Sequence, residues 1–208
     1  NVNDKVDRVE YDLNGSTVLG YAEPDYANNA ANIEADKQEA QQAQQQQEAT
    51  GSVPTGASGQ ASRILDVAIS QIGTRESSSG WTKYGEWYDD NIGGGGFSCA
   101  AWCAMFVTWC ANESGVPRDV IKPYAYCPTG VSYFKDMGVW HDRSGYTPKA
   151  GDVIFFTNGS RASHTGIVEY VSDGYVHTVE GNTSNSVARS IIKEYDSIKD
   201  VQTRMTKA

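Results

Sequence analysis

The chain has 208 residues, 21% of them charged, and a formal net charge of −9 at neutral pH. This length allows one sizeable domain with additional segments. The acidic balance excludes the basic surface that nucleic-acid binding needs, and no apolar run is long enough to span a bilayer. Four cysteines and three scattered histidines lack the paired spacing of a zinc site, so we expect no metal and no cofactor.

The first 26 residues contain a predicted β-hairpin. Residues typical of strands recur over 6–13 and 17–21, and the Asn14-Gly15 pair between these runs suits a type I′ turn. A lone hairpin is only marginally stable in water. We therefore expect residues 1–26 to be the remnant of an upstream domain, or a segment that docks on an assembly partner.

Residues 27–59 are predicted to be a tether. The stretch 27–50 is dominated by Ala, Gln, Asn and Glu, and its apolar stripe is too thin to bury, which indicates a solvated helix or a disordered segment. The following stretch, 51–59, is typical of a flexible linker. Residues 1–59 carry ten acidic and three basic side chains, whereas residues 60–208 carry sixteen and fourteen. We place the domain boundary near residue 60.

Residues 60–208 are predicted to form one α+β domain. Helices are predicted over 61–73, from residue 103 onwards and over 131–137, followed by strands over 152–156, 164–171, 175–180 and 187–192. A helical half followed by a run of antiparallel strands indicates N-terminal helices packed on an antiparallel sheet.

Cys103 is the candidate nucleophile. Apolar residues recur at helical spacing from Trp102 onwards, which places Cys103 in the first turn of a helix, where free N–H groups and the helix dipole favour the thiolate. The alternative is a small buried hydrophobic residue. The remaining cysteines are expected to be dispensable for chemistry, with at most one disulfide among them: Cys99, Cys110 and Cys127.

Three histidines compete to be the base. His141 lies in a polar loop and His177 inside a strand, whereas His164 opens a strand after a Ser/Arg/Gly loop. A thiol, an imidazole and a group that orients the imidazole are the parts that a thiol hydrolase needs.

The orienting group is expected on the neighbouring strand. If residues 172–174 form a three-residue loop, residues whose numbers sum to 346 face each other, which puts His164 opposite Asn182 and diagonal to Glu180. A two-residue loop would reverse this parity. The alternatives are that Glu180 is a surface carboxylate and Asn182 a turn former.

Four segments resemble the CHAP domain family, in the order of that family: Trp102–Val107, Ala150–Phe156, His164–Glu169 and Glu180–Asn182. The family comprises cysteine- and histidine-dependent amidohydrolases/peptidases with a papain-like α+β fold, which cut bacterial peptidoglycan. The resemblance covers roughly residues 61–200. It implies that Cys103 is the nucleophile, His164 the base, Glu180 the third member and Asn182 an auxiliary residue. Some relatives carry an acidic calcium loop before the cysteine, and Asp89-Asp90-Asn91 is either a degenerate form of it or a solvated turn.

The implied function is hydrolysis of an amide bond in the stem peptides, the cross-bridges or the glycan–peptide junction of peptidoglycan. The enzyme would be an endopeptidase or an N-acetylmuramoyl-L-alanine amidase, acting outside the cell at the bacterial wall or carried on a virion as a tail-associated lysin. One alternative is a structural or delivery component of a phage tail or conjugation apparatus, with a wall-penetrating or vestigial hydrolase domain. Another is a transglutaminase or acyltransferase on the same fold.

Aromatic residues are expected to line the substrate groove, with core packing as the alternative for each of them. The candidates are Tyr84, Trp87, Trp102 and Tyr126.

Overall fold

The computed structural model describes residues 8–10, 16–26 and 59–193 of the chain. Within these ranges the α-helices are α1 (Gly59–Ser70), α2 (Lys83–Tyr88), α3 (Cys103–Glu113) and α4 (Cys127–Asp136). The strands are β1 (Arg8–Glu10), β2 (Thr17–Ala22), β3 (Trp140–Asp142), β4 (Val153–Thr157), β5 (Ala162–Ser172), β6 (Tyr175–Thr183) and β7 (Ser186–Lys193). No helix in the described part is long and apolar enough to cross a membrane.

The strands form a seven-stranded sheet in the order β1-β7-β6-β5-β4-β2-β3. Every neighbouring pair is antiparallel except β1 with β7, which is parallel. Helices precede the run β3–β7 and pack on the sheet through one continuous apolar core. The α+β prediction is confirmed.

The hairpin prediction is wrong, because β2 belongs to the same sheet as the strands of the predicted domain. β2 pairs with β4 on one side and β3 on the other, while β1 pairs with β7. Tyr21 and Ala22 are fully buried, and the Tyr26 hydroxyl donates to the Gly151 carbonyl at 2.7 Å. Strand-type residues on either side of a turn signal indicate two strands but do not show which strands they pair with. Residues 16–26 are therefore part of the fold, whereas the predicted Asn14-Gly15 turn and most of the tether lie outside the described residues.

Helix α3 is the central helix of the core. Met105, Phe106 and Val107 are fully buried. The helix approaches β6 closely at Gly181, where a Cβ atom would lie 2.5 Å from the Cβ atom of Phe106. A glycine is needed at this position to let the backbone of β6 contact the helix that begins at Cys103.

The glycine-rich segment before α3 is fixed by one carboxylate. A π-helical turn spans Asp89–Gly93, and Asp89 accepts hydrogen bonds from the backbone N–H groups of Phe97 and Ser98, each at 2.8 Å, and from the Ser98 hydroxyl. The hydrogen bond from the Ser98 hydroxyl contributes most to lowering the pKa of Asp89. Asp89 thus orders the approach to the cysteine helix. The described residues contain no cluster of acidic, histidine or cysteine side chains suited to hold a metal.

Candidate active site

Cys103 is the first residue of α3, as the apolar pattern predicted, and its side chain is buried. The preceding residue is anchored, since the Trp102 indole N–H donates to the Glu76 carboxylate at 2.8 Å. A hydrogen bond with Cys127 is the largest influence on the pKa of Cys103; contacts with His164 and the Thr165 backbone act in the same direction. Together they outweigh burial and hold the pKa of Cys103 well below its ordinary value. The position at the start of the helix favours the thiolate further.

The turn between β5 and β6 differs from the predicted one. It contains two residues, Asp173 and Gly174, both with positive φ (53° and 76°). Next to this turn the paired residues, such as Ser172 with Tyr175, have numbers that sum to 347. The prediction of a three-residue loop is therefore wrong. With a two-residue turn and a regular ladder, His164 and Glu180 would lie on opposite faces of the sheet.

A β-bulge restores the arrangement. Glu169 is an extra residue in β5, and beyond it the paired residue numbers sum to 346. The bulge is held from β7, because Arg189 Nε donates to Glu169 Oε2 at 2.8 Å. As a result His164 and Glu180 share a face of the sheet, and a bulge beside a functional site is a common device for directing a side chain.

His164 and Glu180 are joined directly, with His164 Nε2 2.8 Å from Glu180 Oε2. Burial acts to lower the pKa of His164, but hydrogen bonds with Cys103 and Glu180 outweigh it and raise that pKa well above its ordinary value. Glu180 is 1% exposed and also accepts from the hydroxyls of Thr178, at 2.5 Å, and Thr183, at 3.2 Å. This buried carboxylate therefore has polar partners on both oxygens.

Asn182 lies at the end of the same strand but not in this network. Its backbone is left-handed (φ 59°), a conformation that Asn adopts more readily than most residues. Its side chain makes no hydrogen bond in the part of the chain that the structure describes. Glu180, and not Asn182, is the residue bonded to the imidazole.

The four candidate residues Cys103, His164, Glu180 and Asn182 all fall within one segment that matches a known family. The model of the CHAP domain family matches residues 93–182. The match to the CHAP domain is confined to this segment, which makes up less than half of the 208 residues. This confirms the resemblance noted in the sequence and the papain-like α+β fold. The family implies a peptidoglycan hydrolase of the amidase/peptidase type. No curated protein and no solved structure matches the chain.

Cys127 is a neighbour of the candidate nucleophile that the sequence analysis did not assign to the site. Its Sγ atom lies 3.8 Å from Sγ of Cys103. It is the first residue of α4, and the chain before it is fixed to α3 because Thr108 Oγ1 bonds both the N–H and the carbonyl of Tyr124. Pro128 in the first turn of α4 was the available signal, because proline favours this position and marks the helix start.

The other two cysteines and the other two histidines lie outside the candidate site. All four cysteines lie in the described part of the chain and are free thiols there; Cys110 is fully buried, whereas Cys99 is exposed. His141 bonds Glu23 at 3.0 Å, and His177 stacks on a tyrosine ring. Neither histidine contacts Cys103 in the described network.

Two of the four aromatic candidates cannot bind substrate. Tyr84 and Trp102 are 0% and 1% exposed and stack on each other with ring centroids 5.2 Å apart, so that prediction is wrong for both. Their large apolar rings fill the space beneath α3, which is the packing alternative. Trp87 is partly buried against the same core. Tyr126 is 51% exposed, and the Arg161 guanidinium lies 5.7 Å from its ring centroid.

Proposed function

We propose that the CHAP domain hydrolyses an amide bond of peptidoglycan with Cys103 as nucleophile, His164 as general base and acid, and Glu180 as the orienting residue. The observation that carries this proposal is the chain of contacts from the Cys103 thiol to His164 and from His164 Nε2 to Glu180 Oε2 at 2.8 Å. Nucleophile, base and orienting group in this order are the components of a thiol hydrolase.

The bond from Nε2 to Glu180 leaves Nδ1 of His164 for proton exchange at the thiol. The Cys103 thiolate attacks the amide carbonyl carbon, and the oxyanion is stabilised by backbone N–H groups at the start of α3. His164 then donates its proton to the leaving amine, and a thioester remains on Cys103. Water, deprotonated by His164, attacks the thioester, and its proton returns to the thiol–imidazole pair as the acid product leaves.

Glu180 supports this chemistry without touching the substrate. It fixes the ring orientation of His164 and stabilises the imidazolium, and the hydroxyls of Thr178 and Thr183 hold the carboxylate in place. The proposed substrate bond lies in the stem peptides, in the cross-bridges or at the glycan–peptide junction. The proposed site of action is the bacterial wall, reached by an enzyme that is outside the cell or carried on a virion.

The test is the turnover of purified cell walls by the full chain and by single variants. We expect Cys103→Ala and His164→Ala to abolish lysis, whereas Glu180→Ala loses less activity because water can replace part of its hydrogen bonding. Cys99→Ser is the matched control, since that cysteine is exposed and outside the network. Lysis well above background with Cys103→Ala would refute the assignment.

Mass spectrometry of the released muropeptides distinguishes the possible activities. An amidase releases intact stem peptides with a free N-terminus, and an endopeptidase cuts within the stems or cross-bridges and leaves disaccharide–peptides. An acyltransferase would give products that incorporate an added amine in place of water. A structural component with a vestigial domain would release no product.

A further inference from the structure

Two thiols meet in the candidate active site. Cys103 and Cys127 are each the first residue of a helix, and their Sγ atoms are 3.8 Å apart. Both side chains are buried, with 5% of each residue exposed. The hydrolysis mechanism assigns no role to Cys127, although it contacts the reacting sulfur atom directly.

We propose that Cys127 is a second thiol of the active site, which donates its S–H to the Cys103 thiolate and closes a disulfide with it when a hydroperoxide enters. This inference rests on the proposed role of Cys103 as nucleophile. It concerns how that sulfur atom is held ready and how it is protected from oxidation.

The donor role follows from the surroundings of the two sulfur atoms. Cys103 faces His164 and an N–H group of the backbone of Thr165, both of which favour its thiolate. Cys127 has the opposite tendency, because its hydrogen bond with Cys103 and its burial both raise its pKa. One proton is therefore kept on Cys127 and points towards a negatively charged neighbour, which is the arrangement of a charge-assisted hydrogen bond.

The redox step uses a hydroperoxide as oxidant, and with hydrogen peroxide it balances with two molecules of water as its products. The Cys103 thiolate attacks the peroxide oxygen, the O–O bond breaks, and Cys103 becomes a sulfenic acid while water leaves after proton uptake. Cys127 then attacks the sulfenic sulfur, a disulfide forms and a second water leaves. Peroxide is reduced by two electrons and the two thiols are oxidised. A dithiol reductant restores both thiols by exchange at the disulfide and is itself oxidised to a disulfide.

Other cysteines do not fit this role. Cys110 lies further along α3 and is fully buried, and Cys99 is exposed before the helix. Within the described residues neither is bonded to the sulfur atom of Cys103, whereas Sγ of Cys127 lies 3.8 Å from it. A reactive thiolate beside a resolving thiol is the arrangement in which sulfenic acid is trapped before further oxidation.

The first test is the rate of Cys103 alkylation by iodoacetamide as a function of pH, in the intact chain without peptidoglycan. We compare the wild type with Cys127→Ala, which removes the donor, and Cys127→Ser, which keeps one. Cys127→Ala should move the midpoint to higher pH and slow alkylation below the midpoint roughly tenfold, the effect of one pKa unit. Cys127→Ser should stay close to the wild type. Identical profiles for wild type and Cys127→Ala would overturn the donor role.

The second test is treatment with hydrogen peroxide, followed by peptide mapping and then by dithiothreitol. The wild type should lose two hydrogen atoms in mass, show a Cys103–Cys127 linked peptide and recover its alkylation on reduction. Cys127→Ser should instead gain oxygen atoms on Cys103 that dithiothreitol does not remove. Cys99→Ser is the control and should behave as the wild type. Irreversible oxidation of Cys103 in the wild type would overturn the disulfide.

These measurements separate this inference from the proposed function. Alkylation and peptide mapping follow the sulfur atoms and need no substrate, so they give a result even if the chain cuts no peptidoglycan. The disulfide test in the wild type also needs no variant, and therefore holds if Cys127→Ala fails to fold. If the chain released no peptidoglycan fragments but still formed the Cys103–Cys127 disulfide reversibly, the proposed hydrolase function would be refuted and the role of Cys127 would stand.

Discussion

Gly166 provides the space in which the Glu180 side chain lies. A Cβ atom at residue 166 would be 2.4 Å from Cγ of Glu180, closer than two such atoms can stand. Gly166→Ala should therefore push the carboxylate away from His164 and lower kcat by on the order of ten- to a hundredfold, because small displacements of a group that positions the base are costly. Kinetics on soluble muropeptides would measure the loss.

A double-mutant cycle tests the cause of that loss. If Gly166→Ala acts through Glu180, adding it to Glu180→Ala should cause little further decrease, since the displaced group is already absent. Additive losses would show that the extra methyl group disturbs the strand itself. Thermal unfolding of each variant provides the stability control.

The alkaline limb of the pH–activity profile should depend on Glu180. In the proposed mechanism the active pair is a Cys103 thiolate with a protonated His164, and this pair is lost as pH rises through the pKa of His164. Against the effect of burial, hydrogen bonds with Cys103 and Glu180 raise that pKa. Glu180→Gln removes the carboxylate charge, so the alkaline limb of kcat/KM should move to lower pH. An unmoved limb would show that Glu180 does not tune His164.

Asp152 should make the stability of the fold depend on pH. The residue is 2% exposed, and burial raises its pKa to about 6, against hydrogen bonds from the Lys149 N–H and the Tyr146 hydroxyl. The raised pKa means that the unfolded chain releases this proton at lower pH than the folded chain. The contribution of Asp152 to the free energy of unfolding is therefore fully present below the pKa of the unfolded chain, and it is lost as pH rises through about 6.

Asp152→Asn isolates this contribution because asparagine does not titrate. The free energy of unfolding of the wild type, measured relative to Asp152→Asn, should fall by on the order of 2–3 kcal/mol from acidic to neutral pH. Urea unfolding across this range would measure the difference. A flat difference, or one that rises with pH, would contradict the expected ionisation.

Removal of β2 should destabilise the fold that carries the candidate site. A chain beginning at Gln60 lacks β2, which leaves an edge of β4 unpaired and removes the buried Tyr21 and Tyr26. An unpaired edge strand also promotes aggregation. We expect a lower melting temperature and less soluble protein than for a chain beginning at Ser16, which keeps β2. Equal stability of the two chains would show that β2 is dispensable.

Tyr126 and Tyr84 should respond differently to replacement by alanine. Tyr84 is fully buried, so Tyr84→Ala should cost about 3–5 kcal/mol of stability, as for other large core residues. Tyr126 is largely exposed, so Tyr126→Ala should leave the melting temperature nearly unchanged and raise KM if the ring contacts substrate. An unchanged KM would exclude Tyr126 from the groove.

The sequence predicted the elements of the fold better than the contacts between them. The spacing of apolar residues identified the start of α3 at Cys103 and the strands that follow, because this spacing is a local property of each segment. The partner of β2 depends on residues more than a hundred positions away and was missed. The pairing of His164 with Glu180 was predicted from a three-residue loop, whereas the structure reaches it through a two-residue turn and a bulge. The burial of Tyr84 and the contact of Cys127 with Cys103 depend on tertiary packing, which no single segment reveals.

Because of the bulge at Glu169, the turn at the other end of the hairpin does not by itself determine how His164 and Glu180 face each other. Between the turn and His164 the chain contains one residue more than a regular ladder needs, and Arg189 holds it there. Deleting Glu169 while inserting one residue beside Gly174 would keep the pairing of the remaining strand in phase. Evolution or a designer can therefore lengthen the distal loop of this hairpin by one residue, provided that the extra residue at position 169 is removed from the strand.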